Sequence, residues 1–354
     1  MLRHLVLSLG WIATALITAS PIYRRDDVQY PDPEPCTGNC TWIHDPSVIK
    51  ENGTYYRFST SGNIAIATAP TMAGPWKYEG ALLENGTSIH VVDYQDIWAP
   101  DVTKIGSTFY AYYSVSAIGL QNSTIGLATS TSLLPGTWTD HGSINLPTSS
   151  QYNLIDPSIF RESSDSPIHF TFGSYWDDIF QATLPANTPP IDLKGRWESG
   201  NGEGIQVTNL IRNTTVGEAV VEGAFITISL PYKSSKYYYM FFSSGNCCSD
   251  PSAYPGSEYK IMVCRSTSVS GPFHDQSNKN CLTESGGTII MASHGTVYAP
   301  GGQGVLWEED KKMAVMYYHY IEPGFGYRAE DFKFAWNYLD FGSGWPVVVA
   351  ASVG

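Results

Sequence analysis

The sequence predicts an all-β fold, a five-bladed β-propeller with its working site at the mouth of the central channel. Three observations carry this. A short acidic or glycine-rich signature recurs five times, marked by Asp45, Asp101, Asp156, Glu222 and Gly301, at intervals of 55 to 79 residues. Each signature is followed by two alternating, aromatic-rich stretches joined by a turn. Alternation of period two marks strands rather than helices. Self-similarity at a period of roughly 40–50 residues or slightly more marks a propeller of four-stranded blades.

The first repeat opens at His44-Asp45-Pro46, runs through SVIKENGTYYRFST, and continues into NIAIATA and GPWKYEG. Its turn is Asn52-Gly53, a strong two-residue hairpin signal because both residues tolerate positive φ. The second opens at Ala99-Pro100-Asp101, turns at Gly106-Ser107, and gives TIGLATS and GTWTDHG. The third opens at Ile155-Asp156-Pro157 and reaches a third strand at IFQATL. The fourth opens at Val221-Glu222-Gly223, turns at Ser234-Ser235, and gives YKIMVCRSTS and GPFHDQ. The fifth opens at Ala299-Pro300-Gly301, turns at Asp310-Lys311, and gives FKFAWNYL and GWPVV. The tyrosine runs at 55–56, 112–113, 237–239 and 317–318 are expected to pack between blades. Segments 83–96, 185–219 and 245–257 are expected to be loops that shape the channel mouth.

Residues 1–20 read as a secretory signal peptide, with Arg3 and His4 ahead of an apolar run from Leu5 to Ile17 and a small-residue exit at Thr18-Ala19-Ser20. A Pro-rich leader follows at 21–40, and 41–354 form one propeller domain. Sequons at Asn39, Asn52, Asn85, Asn122 and Asn213 agree with export. Six cysteines in an exported chain suggest disulfides. The preferred pairs are Cys264 with Cys281, flanking an outer hairpin, and Cys36 with Cys40; the adjacent Cys247 and Cys248 would be strained as a pair. Net charge is −13 without a basic stripe, which argues against nucleic acid and anionic membranes as partners. Nothing in the sequence suggests an obligate interface, so a monomer is expected.

Asp45, Asp156 and Glu222 form the central constellation. Asp45 and Asp156 share an Asp-Pro-Ser context, in which proline is expected to hold the preceding acid extended as it enters the inner strand. Glu222 is expected at the corresponding place, with Gly223 allowing close backbone approach. Residues at equivalent places in the blades converge on the axis, so the three acids would share one pocket. Cleavage of a glycosidic bond needs one protonated and one ionised carboxyl, and a third nearby raises the acid's pKa by like charge.

From about residue 40 to 350 the chain resembles the glycoside hydrolases of family 43. The resemblance rests on HDPSVI (44–49), DYQDIWAPDV (93–102), NLIDPSIF (153–160), VVEGAFI (220–226), SSGNCC (243–248) and SHGTVYAPGGQGV (293–305). It implies a secreted, inverting hydrolase of the branch that cuts α-1,5-linked L-arabinofuranose internally in pectic arabinan. Arabinan polysaccharide and arabino-oligosaccharides would then be its partners. It implies Asp45 as general base, Glu222 as general acid and Asp156 as the group that tunes and orients the acid. Inversion would set Asp45 and Glu222 about 6.5–9.5 Å apart.

The same resemblance implies Trp98 as a sugar platform, Asn153 and Ser174 as partners of sugar hydroxyls, and His44 as an aid to Asp45. Blade packing for Trp98 and ordinary turn roles for Asn153 and Ser174 are the plainer alternatives. Asp101 is expected to brace its blade. His294 is implied to sit beneath the substrate and help to hold a calcium or sodium ion, largely through waters. That ion would be neither redox-active nor the source of the nucleophile, and no organic cofactor is expected. Two other readings stay open: an exo-acting α-L-arabinofuranosidase or β-xylosidase of the same fold, and a non-catalytic sugar-binding propeller. The joint presence of three acids counts against the last.

Overall fold

The computed structural model describes residues 30–184, 205–214, 220–228, 236–247 and 256–351. Among them five four-stranded antiparallel sheets follow one another in chain order, each strand pairing with the next. Blade 1 holds β1 (His44–Glu51), β2 (Thr54–Thr60), β3 (Ala65–Ala69) and β4 (Lys77–Ala81); blade 2 holds β5 (Asp96–Ile105), β6 (Thr108–Ser116), β7 (Thr124–Ser130) and β8 (Thr139–Ser143). Blade 3 holds β9 (Ser158–Arg161), β10 (Ile168–Phe172), β11 (Ile179–Leu184) and β12 (Val207–Ile211). Blade 4 holds β13 (Val221–Ile228), β14 (Tyr238–Ser244), β15 (Lys260–Ser266) and β16 (Thr288–Met291). Blade 5 holds β17 (Tyr298–Glu308), β18 (Met313–Ile321), β19 (Lys333–Asp340) and β20 (Val347–Val349). The five-bladed propeller is as the repeats predict.

Two local expectations need correction. The segment 185–219 is not loop throughout, because its described part supplies β12, the outer strand of blade 3. GPFHDQ does not close blade 4 as a ladder strand; His274 makes only isolated bridges, to Arg265 and Asn280, and β16 forms the outer edge. Ser234, Ser235 and Cys248 lie outside the described residues. The Asn52-Gly53 turn has both φ values positive, at 50° and 78°, as a two-residue hairpin requires.

The core is divided among the blade interfaces. Phe58 and Ile66 of blade 1 pack on Phe109 and Val115 of blade 2, and Tyr112 of blade 2 packs on Phe170 and Phe180 of blade 3. Ile179 of blade 3 meets Met240 and Phe242 of blade 4, and Phe241 meets Met316 and Tyr318 of blade 5. Val48 and Tyr55 close the ring against Tyr317 and Trp336. Most of the tyrosine runs are therefore packing, as expected. Apolar area removed from water at about 25 cal/mol per Å² is what holds such an architecture, and here it holds blade to blade.

The chain ahead of β1 reinforces the closure. Glu34 N–H donates to Trp336 O at 3.0 Å and Phe334 N–H to Cys40 O at 3.0 Å, so this segment lies along blade 5. Disulfides join Cys36 to Cys40 and Cys264 to Cys281, the two preferred pairs. The Arg57 guanidinium lies between the rings of Trp76 and Phe334, 4.6 and 4.7 Å from their centroids, and donates to Asn39 Oδ1 at 2.8 Å.

The position of the site follows from one repeated backbone feature. Asp45, Ala99, Asp156, Gly223 and Gly302 adopt φ of 44°, 44°, 55°, 63° and 58°. Register shifts interrupt the first ladder of four blades at these bends. An extra residue in one strand bends it and re-aims its side chains. These five residues are the structural equivalents. Glu222 lies one residue before its bend, opposite Ser243, as His44 lies opposite Thr60 and Trp98 opposite Ser114. Asp101 lies two residues after its bend, level with Ser47. The expected equivalence of Asp45, Asp101 and Glu222 is offset by these bulges, and Asp45 and Asp156 are left-handed rather than extended.

Each middle strand ends on a polar group that meets the next blade. Ala99 N–H donates to Thr60 Oγ1 at 2.8 Å, Asp156 N–H to Ser114 Oγ at 2.9 Å and Gly302 N–H to Ser243 Oγ at 3.0 Å. Asp45 N–H donates to His319 Nδ1 at 3.0 Å, which completes the circle from blade 5 to blade 1. A second tier braces the blades below: Val102 N–H donates to Ser47 Oγ at 3.0 Å and Ile159 N–H to Asp101 Oδ2 at 2.7 Å.

Candidate active site

Asp45, Asp156 and Glu222 come together where blades 1, 3 and 4 meet the axis, close enough that each carboxyl shifts the ionisation of another. Asp45 Oδ2 is 2.7 Å from His44 Nδ1 and accepts Thr60 Oγ1–H at 3.2 Å. Burial alone would raise the Asp45 pKa, but the His44 charge and hydrogen bond, the neighbouring His319 and the Thr60 hydroxyl outweigh it and hold it at about 2. Burial pulls the other way on His44, yet Asp45 raises its pKa above the ordinary value. Each shift favours the charged form of its group, so the two side chains support one another as an ion pair.

Glu222 is set in the opposite sense. Burial raises its pKa, and the charge of Asp45 adds to the rise, against hydrogen bonds from Ser174 and Tyr259. Tyr259 O–H donates to Oε1 at 2.7 Å, and the Ser174 hydroxyl donates to Oε2. Asp156 is pushed well above the usual carboxylate range by burial and by the charges of Glu222 and Asp45, while its Oδ2 accepts Gly223 N–H at 3.1 Å. Two neighbouring carboxyls of this kind hold protons jointly. The site thus pairs a strongly ionised carboxylate with carboxyls that retain protons, the division of labour that acid–base cleavage requires.

A cavity of about 50 Å³ lies on the axis, lined by Asp45, Asp101, Asp156, Ala224, Gln303 and Tyr317 among others. It is large enough for water, and Asp45, Asp101 and Asp156 present polar groups to it. Burial raises the Asp101 pKa to about 7 against its hydrogen bond from Ile159, and Asp101 clamps blade 2 to blade 3 rather than acting at the mouth.

The remaining expected residues are placed as follows. His44 touches Asp45. Trp98 is half-buried on β5, at the blade-2 counterpart of His44 and Glu222. Ser174 is buried, and its hydroxyl donates to Glu222 Oε2. Asn153 is buried, donates Nδ2–H to Leu120 O at 3.3 Å, and leaves Oδ1 without a partner among the described residues.

His294 is not brought to the acids. Its Nδ1 faces Ala292 O at 2.8 Å and its Nε2 faces Pro31 O at 3.2 Å, beside the Tyr30 ring. Both ring nitrogens face carbonyls, so neither aims a lone pair at an ion. The axial histidine is His319, which sequence reasoning missed together with Tyr259. A group of His44, Cys247 and His319 does place ligand-type atoms within 4.8 Å of one another. Cys247 is disulfide-bonded and offers no thiolate. His319 Nδ1 accepts the Asp45 N–H, which leaves the hydrogen on Nε2, and His44 Nδ1 is engaged by Asp45. That leaves at most His44 Nε2 as a ligand atom from this group, where a directly bound cation takes several.

The profile of glycosyl hydrolases family 43 matches residues 41–346. The arabinan endo-1,5-alpha-L-arabinosidase A of Aspergillus aculeatus is 43% identical over 325 residues, spanning 90% of this chain and 94% of its own. The family 43 endo-arabinanase of Bacillus licheniformis superposes with a TM-score of 0.71 at 30% identity, over 88% of this chain and 99% of its own. An exo-1,5-alpha-L-arabinanase from a bovine ruminal metagenomic library superposes with a TM-score of 0.69 at 25% identity, over 87% and 96%. The matched profile reaches into all five blades and includes Asp45, Asp156 and Glu222, and the chain is a glycoside hydrolase that belongs to glycosyl hydrolases family 43.

Proposed function

We propose that this hydrolase cuts α-1,5-L-arabinofuranosidic linkages inside pectic arabinan, with inversion at the anomeric carbon. The observation that carries the chemistry is Asp45 held ionised in the same pocket as Glu222 held towards its protonated form. Asp45 takes a proton from a water that attacks the anomeric carbon, while Glu222 gives its proton to the departing glycosidic oxygen. Asp45 ends protonated and Glu222 ionised, and exchange with solvent resets both. Ser174 and Tyr259 fix the acid's two oxygens, and Asp156 makes with it a pair of buried carboxyls that resist ionising together, so a proton stays on the pair.

The substrate reading draws on the names of the relatives. Since endo- and exo-acting relatives share the fold, internal cleavage rests on the mouth itself. Trp42 and Tyr94 precede first strands, while Ile118, Tyr175, Trp176 and Phe325 lie between second and third strands, and all six are exposed. Antiparallel pairing puts these connections at one end of the propeller, the end that carries the acids. Flat apolar faces around an open rim suit the C–H faces of successive sugars. Asn153 and Trp98 would contact the substrate from within.

Export is part of this reading, supported by the apolar stretch from Leu5 to Ile17, the sequons and the two disulfides. The enzyme acts as a monomer, and family 43 chemistry needs no organic cofactor. The calcium or sodium ion implied by resemblance has no directly bonding seat at His294, and the proposed steps run without it.

Product size over time on linear debranched arabinan tests the function. Mixed oligosaccharides at early times support internal cleavage; arabinose alone from the outset replaces it with an exo reading. Glu222→Gln is expected to lower kcat on arabinan by ~10²–10⁴-fold, the usual share of a general acid, while binding persists. Undiminished cleavage would remove Glu222 from its role.

A further inference from the structure

We propose that His319 is a positioning residue that sets the base Asp45 against the acid Glu222 by serving as the common floor under both. The proposal rests on the roles given above to those two carboxyls.

The first observation is a break in a repeated pattern. In the other four blades the middle strand ends on Thr60, Ser114, Ser174 or Ser243, and the hydroxyl meets the next blade. Blade 5 alone presents an imidazole at this place, opposite Gly301 in the ladder. A hydroxyl oxygen can accept the Asp45 N–H as well as a ring nitrogen can. Capture of that N–H therefore does not explain the histidine.

The ring accounts for the difference. It stacks on His44 with centroids 4.0 Å apart at 24°, and His44 is the residue that holds Asp45 Oδ2. It also lies parallel to Tyr259, with centroids 6.0 Å apart at 13°, and Tyr259 is the residue that holds Glu222 Oε1. One planar side chain thus touches the Asp45 backbone, the partner of the base and the partner of the acid.

The second observation is an unsatisfied group. Acceptance by Nδ1 requires the hydrogen to be on Nε2, and Nε2 is fully buried with no partner among the described residues. Leaving a buried N–H unpaired is destabilising, and packing alone would be better served by phenylalanine or leucine. Burial and the charge of His44 depress the ring's pKa to about 3, against the pull of Asp45. The ring therefore stays neutral and keeps its Nδ1 lone pair on the Asp45 N–H. Of the titratable groups, His44, Asp45 and Tyr259 face it.

The third observation is the absence of slack. A Cβ built on Gly302 would stand 2.5 Å from Asp45 Oδ1 and 2.6 Å from His319 Nδ1. Both contacts are far inside van der Waals distance, so glycine is what lets carboxylate and imidazole close together.

The test compares His319→Leu, His319→Asn and Gly302→Ala with Asp45→Asn on linear arabinan. His319→Leu is expected to lower kcat ~100-fold, the scale of an ångström misplacement, with KM changed less than about threefold. The acid limb of its pH profile should move to higher pH, because Asp45 loses the support of an ordered His44. His319→Asn restores an acceptor for the Asp45 N–H without the stack, so its loss should be smaller, ~10-fold by the same scale, with the acid limb still raised. Gly302→Ala should show the same limb shift, and it decides the matter with His319→Asn if the leucine variant does not fold. Unchanged kcat in the His319 variants, or a loss that tracks melting temperature with the acid limb unmoved, overturns the proposal. Full activity in Asp45→Asn would instead overturn the base assignment beneath it.

Discussion

The Asp156 carboxylate accepts the main-chain N–H of Gly223 at 3.1 Å, and so is tied to the residue that follows Glu222. In the four other blades that N–H goes to a hydroxyl or imidazole at the end of the preceding middle strand. Between blades 3 and 4 the carboxylate takes it instead, and Ser174 is released to bond the Glu222 side chain. The offset of one residue and this change of partner belong together: they put a longer acid at the rim and give its carboxyl an ordered hydroxyl.

Asp156→Asn keeps an acceptor for Gly223 but removes the second ionisable carboxyl beside Glu222. In its proposed role Glu222 works protonated, so activity should fall as pH rises through its raised pKa. With the neighbouring carboxyl gone, that pKa falls and the alkaline limb of kcat/KM should move to lower pH, with kcat reduced at least ~10-fold. A limb that stays in place would mean Asp156 is neutral throughout and acts only by holding Gly223.

Tyr259→Phe acts in the reverse direction. The phenol hydrogen bond favours the ionised carboxylate, so its loss raises the Glu222 pKa further and the alkaline limb should move to higher pH. Ser174→Ala should do the same. Opposite shifts in these variants and in Asp156→Asn, read from one set of pH profiles, would identify Glu222 as the group behind that limb. Shifts of the same sign would assign it elsewhere.

The five blades were legible because alternation and turns such as Asn52-Gly53 are local properties of the chain. The three acids were legible because Asp45 and Asp156 share Asp-Pro-Ser, and Glu222 falls near the same phase. The bulges were not, since a single extra residue leaves alternation intact on either side while shifting Asp101 and Glu222 out of step. His319 was hidden by burial: eight of the nine residues of β18 are buried, so alternation is lost and a histidine among tyrosines reads as packing. Tyr113-Ser114, Phe242-Ser243 and Tyr318-His319 do carry a signal, an aromatic followed by a polar strand end. Tyr259 meets Glu222 only through the tertiary fold. His294 misled because it stands close to the fifth signature; reciprocal main-chain hydrogen bonds with Val297 turn the chain there and leave its ring against Pro31.

His44→Gln should raise the acid limb. Asp45 is ionised down to about pH 2 largely through the charge and hydrogen bond of His44. Glutamine can preserve a hydrogen bond but not the charge, so the Asp45 pKa rises towards or above the ordinary value of about 4. Activity at low pH should then be lost earlier, while the alkaline limb moves little. A profile identical to the parent would show that Thr60 and His319 suffice to keep the base ionised.

Exhaustive chelation should leave the rate within about twofold, the scatter expected when no bound group is removed. The argument is one of lone pairs. His294 directs both nitrogens at carbonyls, His319 has a hydrogen on Nε2, and Cys247 is disulfide-bonded. His294→Gln should likewise leave kcat unchanged and lower the melting temperature by a few degrees, since what it removes is a hydrogen bond of about 1 kcal/mol between chain segments. Activity that falls on chelation and returns with calcium would show that water-mediated contacts hold an ion these side chains do not bind directly. The combination of a chelation-resistant rate and a destabilised but fully active His294→Gln would assign His294 to the packing of the 30–43 segment against blade 5.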